Sequence, residues 1–445
     1  METRRDFMKI FGALAAMPAT KAVADVTTYR DWELVRKEVR DPNASENVRL
    51  HFDMTKPLHG PWLQHPSPTA MSVTWISREK CGAGIEWREK GAADWNRRWA
   101  ILCGKVDYSK DIHTFHLDGL KPATEYEYRF LSVVDQYNSA YVDTVVGRET
   151  YAFRTLDPKK DRYTCFVTSD MHGSLRLGGD EMYERTGAKD ADFYFFLGDN
   201  VDDNMNEPRF YITTGFLDDV VRMWGKSKPS VFVRGNHDSW GRHAAEGWAD
   251  YFGRADGRGY YTVTQGPAIF VVFDMAEEYR MRSAAGREVR AAYRAEQLQW
   301  FKKLKQTEEW RRAKFRIGMC HYGTRTGVGG FKETREWLRD EFVGANGLHL
   351  FLCGHEHFYA RSLPNEPGFF HNPRYDRPKA KLPARPLCDG SDDYTEIAAA
   401  AREAMMLEIS PERLVVRSCD FKNPEKGDLD VIEIFPDRTA RALKK

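Results

Sequence analysis

Five short apolar runs each end in residues that can bind metal ions or move protons. Tyr163–Thr168 leads to Asp170-Met171-His172, Phe193–Leu197 to Gly198-Asp199-Asn200-Val201-Asp202, and Val231–Val233 to Gly235-Asn236-His237-Asp238. Lys314–Cys320 leads to His321, and Leu348–Cys353 to Gly354-His355-Glu356-His357. Carboxylate, amide oxygen and imidazole suit divalent or trivalent ions such as Fe, Mn or Zn, and the lack of thiolate ligands argues against a soft-metal site. Donors in this number suit a pair of ions, and a pair needs one shared ligand.

For the clusters to meet, the runs before them must be neighbouring strands. Ligands of layered α/β domains gather beyond the carboxyl ends of the strands. After Asp157-Pro158-Lys159-Lys160 the chain reads as strands separated by helical or irregular stretches, the pattern of such a domain. One helix is expected over about Arg290–Trp310, with Leu298, Phe301 and Leu304 on its apolar face. Upstream, Met71–Ile76, Gly84–Arg88, His113–His116 and Glu125–Val133 read as short strands between turns, which predicts a β-sandwich. The expected fold class is therefore an α/β (α+β layered) domain, central β-sheets flanked by helices, preceded by an all-β sandwich. The expected organisation is a leader over residues 1–24, a lead segment 25–55, the sandwich 56–157 and the layered domain 160–445.

Composition narrows the function classes. With 67 basic against 66 acidic residues the chain has no bulk field to draw it to nucleic acid, so no nucleic-acid-binding role is expected. Its 42% hydrophobic and 30% charged residues are those of a globular protein. The seven cysteines form no C-x-x-C pair, which excludes zinc-ribbon and thioredoxin chemistry, and Cys165, Cys320 and Cys353 lie in apolar runs as packing residues. The start, Thr3-Arg4-Arg5-Asp6-Phe7-Met8-Lys9, then a short apolar run and Ala22-Val23-Ala24, resembles a twin-arginine export signal. That resemblance implies a periplasmic or secreted protein, with no transmembrane anchor once the leader is removed.

The order D-x-H, G-D-x-x-D, G-N-H-D, lone His and G-H-x-H resembles the calcineurin-like metallophosphoesterase superfamily over about residues 162–440. The resemblance implies two metal ions, with Asp170, His172 and His357 on the first, Asn236, His321 and His355 on the second, and Asp199 bridging. It further implies in-line attack on phosphorus by a hydroxide held between the ions. His237 would assist the leaving group and Asp202 would orient its ring, while Asp238 and Glu356 would support the ligands. Leu117–Tyr128 resembles the tyrosine corner of fibronectin type III domains, and Gly60-Pro61-Trp62-Leu63-Gln64 with Val73-Thr74-Trp75 resembles the domain that precedes the catalytic one in purple acid phosphatases.

Two departures refine this. Purple acid phosphatases have Tyr where Asp202 stands and Gly where His172 stands, so this chain should lack their colour. Ser/Thr protein phosphatases have an Arg where Asp203 stands, which argues against phosphoprotein substrates. The expected activity is hydrolysis of small phosphate mono- or diesters; the alternative is a catalytically weak, metal-binding interaction protein of the cell envelope. Arg325, Lys332 and Arg361 follow motif residues and are candidates for phosphate contact. Monoester or diester preference, metal identity and oligomeric state stay open.

Overall fold

The computed structural model describes residues 57–135, 142–146, 149–173, 183–201, 216–241, 243–275, 283–325, 332–344, 346–364, 370–371, 393–399, 403–420, 423, 425 and 427–444. The expected leader and lead segment lie outside them.

Two sheets face each other across the main core. The first holds the parallel neighbours Tyr163–Thr168, Phe193–Phe196 and Ser230–Phe232, and extends beyond Tyr163–Thr168 through the antiparallel strands Glu403–Ile409, Leu414–Asp420, Asp428–Ile434 and Ala440–Lys444. The second holds the parallel strands Ala268–Val272, Phe315–Met319, Leu350–Cys353 and Thr395–Ala398. Tyr261–Gln265 borders it on one side, Ala360–Ser362 and Phe370–His371 on the other.

Alternate side chains of a strand point to opposite faces, so a strand covered on both sides must be apolar throughout. Cys165, Val167, Phe193 and Phe195 turn inward to meet Phe270, Ile317, Met319 and Leu352 of the second sheet. Phe166, Tyr194 and Phe196 turn outward onto Phe216, Trp224, Trp248 and Phe252. Outside the second sheet, Ile269, Val271 and Phe351 pack against Phe301, Leu304 and Phe342. The layers run helix, sheet, sheet, helix, and Cys165, Cys320 and Cys353 are buried free thiols within them.

The expected helix over 290–310 is displaced and divided. It spans Ala284–Leu304, and a second helix covers Glu308–Arg312. Ser283 starts the first by accepting the Gly286 N–H, and Thr307 starts the second by accepting that of Trp310. The first half of the long helix is mostly exposed, and its apolar residues are mainly alanines, which hides its period.

Toward the N-terminus, Gly82–Glu89, Asn96–Trp99, Glu125–Asp135, Val142–Val146 and Tyr151–Arg154 form one sheet of a sandwich. Pro57–Gln64, Met71–Ser77 and Ile112–Leu117 form its partner. Trp75 lies between them, stacked on Phe115 at 5.4 Å and Phe130 at 5.1 Å. The Tyr126 hydroxyl accepts the Lys121 N–H at 2.9 Å across the Pro122 turn, the bond a tyrosine corner requires.

This partner sheet has no free edge toward the layered domain. Pro57–Gln64 runs parallel to Ser230–Phe232 with Gln64 opposite Ser230, so one ten-stranded sheet passes through both units. Leu63 faces the sandwich core, whereas Trp62, on the other face of the same strand, joins the layer outside the first sheet and stacks on Tyr251 at 6.4 Å. Gln64 Nε2 donates to the Tyr251 carbonyl at 2.8 Å, and the Tyr128 hydroxyl to that of Lys226 at 2.7 Å. Removing a buried Trp ring costs about 3–5 kcal/mol. Trp62→Ala should therefore lower the denaturation midpoint of the layered domain and of the sandwich together. Separate loss of the sandwich alone, followed by tryptophan fluorescence and circular dichroism, would contradict a shared seam.

Candidate metal centre

The motif residues begin two to four positions past strand ends, three clusters after strands of the first sheet and two after strands of the second. Backbone hydrogen bonds stitch the turns together. The Asp170 N–H donates to the Gly198 carbonyl at 3.0 Å, that of His172 to the Asp199 carbonyl at 2.9 Å, and that of Gly354 to the His321 carbonyl at 2.9 Å. The two sheets are joined where the His355 N–H donates to the Asp170 carboxylate, 3.1 Å from each oxygen.

These turns use backbone conformations that L-residues avoid. Asp170, His172, Asp199, His355 and His357 have φ of +56°, +46°, +50°, +74° and +59°. They are five of the nine non-glycine residues with positive φ among those described. Such strain persists only where surrounding structure over-determines it, and it concentrates at functional sites. Close approach also fixes the glycine before Asn236: a Cβ on Gly235 would lie 2.2 Å from both the backbone nitrogen and a carboxylate oxygen of Asp199.

The donor atoms gather in two groups that share one residue. Asp170, His172, Asp199 and His357 bring ligand atoms within 4.8 Å of one another, as do Asp199, His321 and His355. His172 Nε2 faces His357 Nε2 at 3.1 Å. Asn236 joins the second group, its Oδ1 lying 2.8 Å from His355 Nδ1 and 3.1 Å from His321 Nε2. His321 Nδ1–H donates to the Leu197 carbonyl at 2.9 Å, which leaves Nε2 facing Asn236 Oδ1 and Asp199 Oδ2, the latter 3.2 Å away. Two oxygens and this nitrogen converge there, an arrangement that a metal ion satisfies by displacing the Nε2 proton. The donor set therefore fits two hard or borderline metal ions, and all seven ligand positions expected from the sequence lie together.

The electrostatics agree. Burial alone would depress His321, but Asp199 and Asp170 outweigh it and raise the imidazole to about 9. Burial also opposes ionisation of Asp199, yet His321 and His237 hold its carboxyl below the usual range. Asp170 is pushed up, chiefly by burial and further by Asp199. His355 falls to about 3 through burial and the neighbouring His321. The pocket is negative enough to draw cations and dry enough to make them count.

His237 stands at the edge of this arrangement. Its N–H donates to Asp199 Oδ1 at 2.8 Å, and its ring lies 4.2 Å from that of Trp240 and edge-on to His172 at 4.7 Å. Asp202 falls outside the described residues. Asp238 is fully buried and ties the loops by accepting from the N–H groups of Gly235, Asn200 and Val201 at 2.8, 3.0 and 3.3 Å.

The phosphate-contact candidates fare differently. Arg325 is buried, its guanidinium bonded to Ser362 and stacked on Tyr394, and Arg361 is buried against Asp430 at 2.5 Å. Both serve the interior because the strands beside them bring acceptors to them. Lys332 opens a helix, and its side chain is outside the described residues. The sequence reading missed Arg234, beside Asn236, which is paired with Asp274, itself bonded to the Tyr293 hydroxyl at 2.7 Å. It also missed Glu396, whose signal was present as the lone acid in the apolar run from Tyr394 to Ala401.

Residues 163–359 match the family model described as calcineurin-like phosphoesterase. Among solved structures, a purple acid phosphatase from yellow lupin (Lupinus luteus) seeds shares 15% identity at a TM-score of 0.57, over 83% of this chain and 73% of that one. A structure of PhoD shares 12% identity at a TM-score of 0.57, over 87% of this chain and 92% of that one. At these identities the likeness is one of fold. A comparison with curated protein sequences gives no match. The family likeness thus covers residues 163–359, and the two structures share the fold.

Gly235→Ala drives a methyl group into Asp199. The variant should lose bound metal, measured by elemental analysis after dialysis, while far-ultraviolet circular dichroism stays that of the parent. Full metal content would mean that the close approach is not required.

Proposed function

We propose that the chain is an exported, binuclear-metal phosphoesterase acting on small phosphate mono- or diesters. The observation supporting it most directly is the pair of donor groups that share Asp199. In this reading Asp170, His172 and His357 would hold one ion, Asn236, His321 and His355 the other, and Asp199 would serve both. Bound there, such a pair would supply an activated water and electrostatic stabilisation of the attacking and leaving oxygens of an in-line displacement.

The chain's own groups do the rest. Asp199 accepts the His237 N–H, and Trp240 braces the His237 ring, so the imidazole is held beside the metal ligands. From there it donates a proton to the departing oxygen, or stabilises its charge, with Asp202 orienting the ring. The sandwich, of fibronectin type III kind, serves as scaffold. Residues 1–24 direct export; among the described residues no helix is long and apolar enough to cross a membrane.

The experiment compares bis(p-nitrophenyl) phosphate with p-nitrophenyl phosphate on Mn- or Fe-loaded protein. Faster diester cleavage indicates a pocket open to a second substituent, and faster monoester cleavage a grip on the dianion. Asp199→Ala should abolish turnover and reduce bound metal below two ions per chain. Intact metal with no turnover of either ester in the parent protein would favour the interaction-protein alternative. His237→Ala should lose about 10²–10⁴-fold in kcat on an alkyl phosphate and less on p-nitrophenyl esters, whose leaving group needs little protonation. Equal losses on both would remove His237 from the leaving-group role.

A further inference from the structure

The loop after His321 is held by a carboxylate from a strand that carries none of the metal-ligand motifs. Glu396 is fully buried on Thr395–Ala398. Its Oε1 accepts the Arg325 N–H at 2.8 Å and its Oε2 the Thr324 N–H at 3.0 Å, while the Thr324 hydroxyl also donates to it. The same hydroxyl meets the Tyr394 hydroxyl at 2.7 Å. A buried carboxylate is retained at this cost in desolvation only when such donors surround it.

The strand beneath Glu396 also borders the G-H-x-H turn on both sides. Glu396 pairs with Phe351 on Leu350–Cys353, which leads into His355, and with Ser362 on Ala360–Ser362, which follows His357. Arg325 closes the circuit. Its Nη1 donates to Ser362 Oγ at 2.9 Å and to the Tyr394 carbonyl at 3.2 Å, and the guanidinium lies 3.6 Å over the Tyr394 ring. Between the two turns, the Tyr322 ring packs edge-on against His355 at 4.6 Å.

We propose that Glu396, with Thr324 and Arg325, is a positioning clamp that sets the spacing of His321 from His355 and so tunes the second ion's site. Glu396 bonds to the backbone of the loop after His321 and acts through the two turns. The inference rests on the metal-centre reading for its effect on ion binding, and on the hydrogen bonds alone for its effect on the turns.

The test uses full-length protein and the variants Glu396→Gln and Thr324→Val, the second removing only a hydroxyl. Titration of apo protein with Mn should show two binding events. The event assigned to the second site should weaken about 10- to 100-fold in Glu396→Gln, the range for partners that orient metal ligands. Thr324→Val should shift the same event in the same direction by a smaller factor. With excess Mn, kcat should recover while KM for p-nitrophenyl phosphate stays unchanged, a pattern general destabilisation would not produce. Hydrogen exchange of apo protein should show faster exchange at Thr324 and Arg325 in Glu396→Gln. If Glu396→Gln fails to fold, Thr324→Val decides. Parental Mn affinity in the folded variants overturns the clamp. Faster exchange with no Mn binding even in the parent would instead overturn the metal-centre reading and leave the turn-holding role standing.

Discussion

The Asp199 carboxylate is the constraint on which this site depends. One oxygen takes the His237 N–H and the other faces His321, and the residue belongs to both donor groups. Its backbone carbonyl also anchors the turn carrying His172. A shift of Asp199 would therefore move two ligand sets and His237 at once. Burial makes the arrangement exacting, since a carboxylate in this surrounding has no water to make good a lost contact.

The left-handed turns follow from that constraint. A strand delivers its last residue along its own axis, yet the donors must converge on a small volume between two sheets. Turning sharply within two or three residues requires conformations that glycine tolerates and that Asp and His adopt only under compulsion. The compulsion comes from neighbours: Gly198 leaves room for the His321 ring and Gly235 for Asp199, and the His355 N–H on Asp170 locks one sheet's turn onto the other.

What the sequence made legible was local. Each ligand sits directly after an apolar run, so Asp170, Asp199, Asn236, His321 and His355 could be read from spacing and residue type. The sandwich was legible for the same reason, through alternation and the Pro122 turn. Contacts set by register between distant segments were not. Arg325 resembled a phosphate contact because it follows His321, and only the strand holding Tyr394 and Glu396 shows that it points inward. The Leu197 carbonyl, which fixes the His321 tautomer, has no sequence signature at all. Glu403–Ile409 consists largely of good helix formers and is a strand because Tyr163–Thr168 and Leu414–Asp420 flank it.

The ten-stranded sheet gives the leading sandwich a standing that a tethered module would lack. Pro57–Gln64 covers what would otherwise be the bare rim of Ser230–Phe232, and Trp62 fills space in the layer that packs behind that strand. Excision near residue 157 would leave unpaired backbone groups and a vacant ring-sized hollow, the features that invite chains to join edge to edge. The layered domain is thus no interchangeable cartridge. Any exchange of the front module, by natural recombination or by engineering, must bring its own strand and its own large aromatic to the same rim.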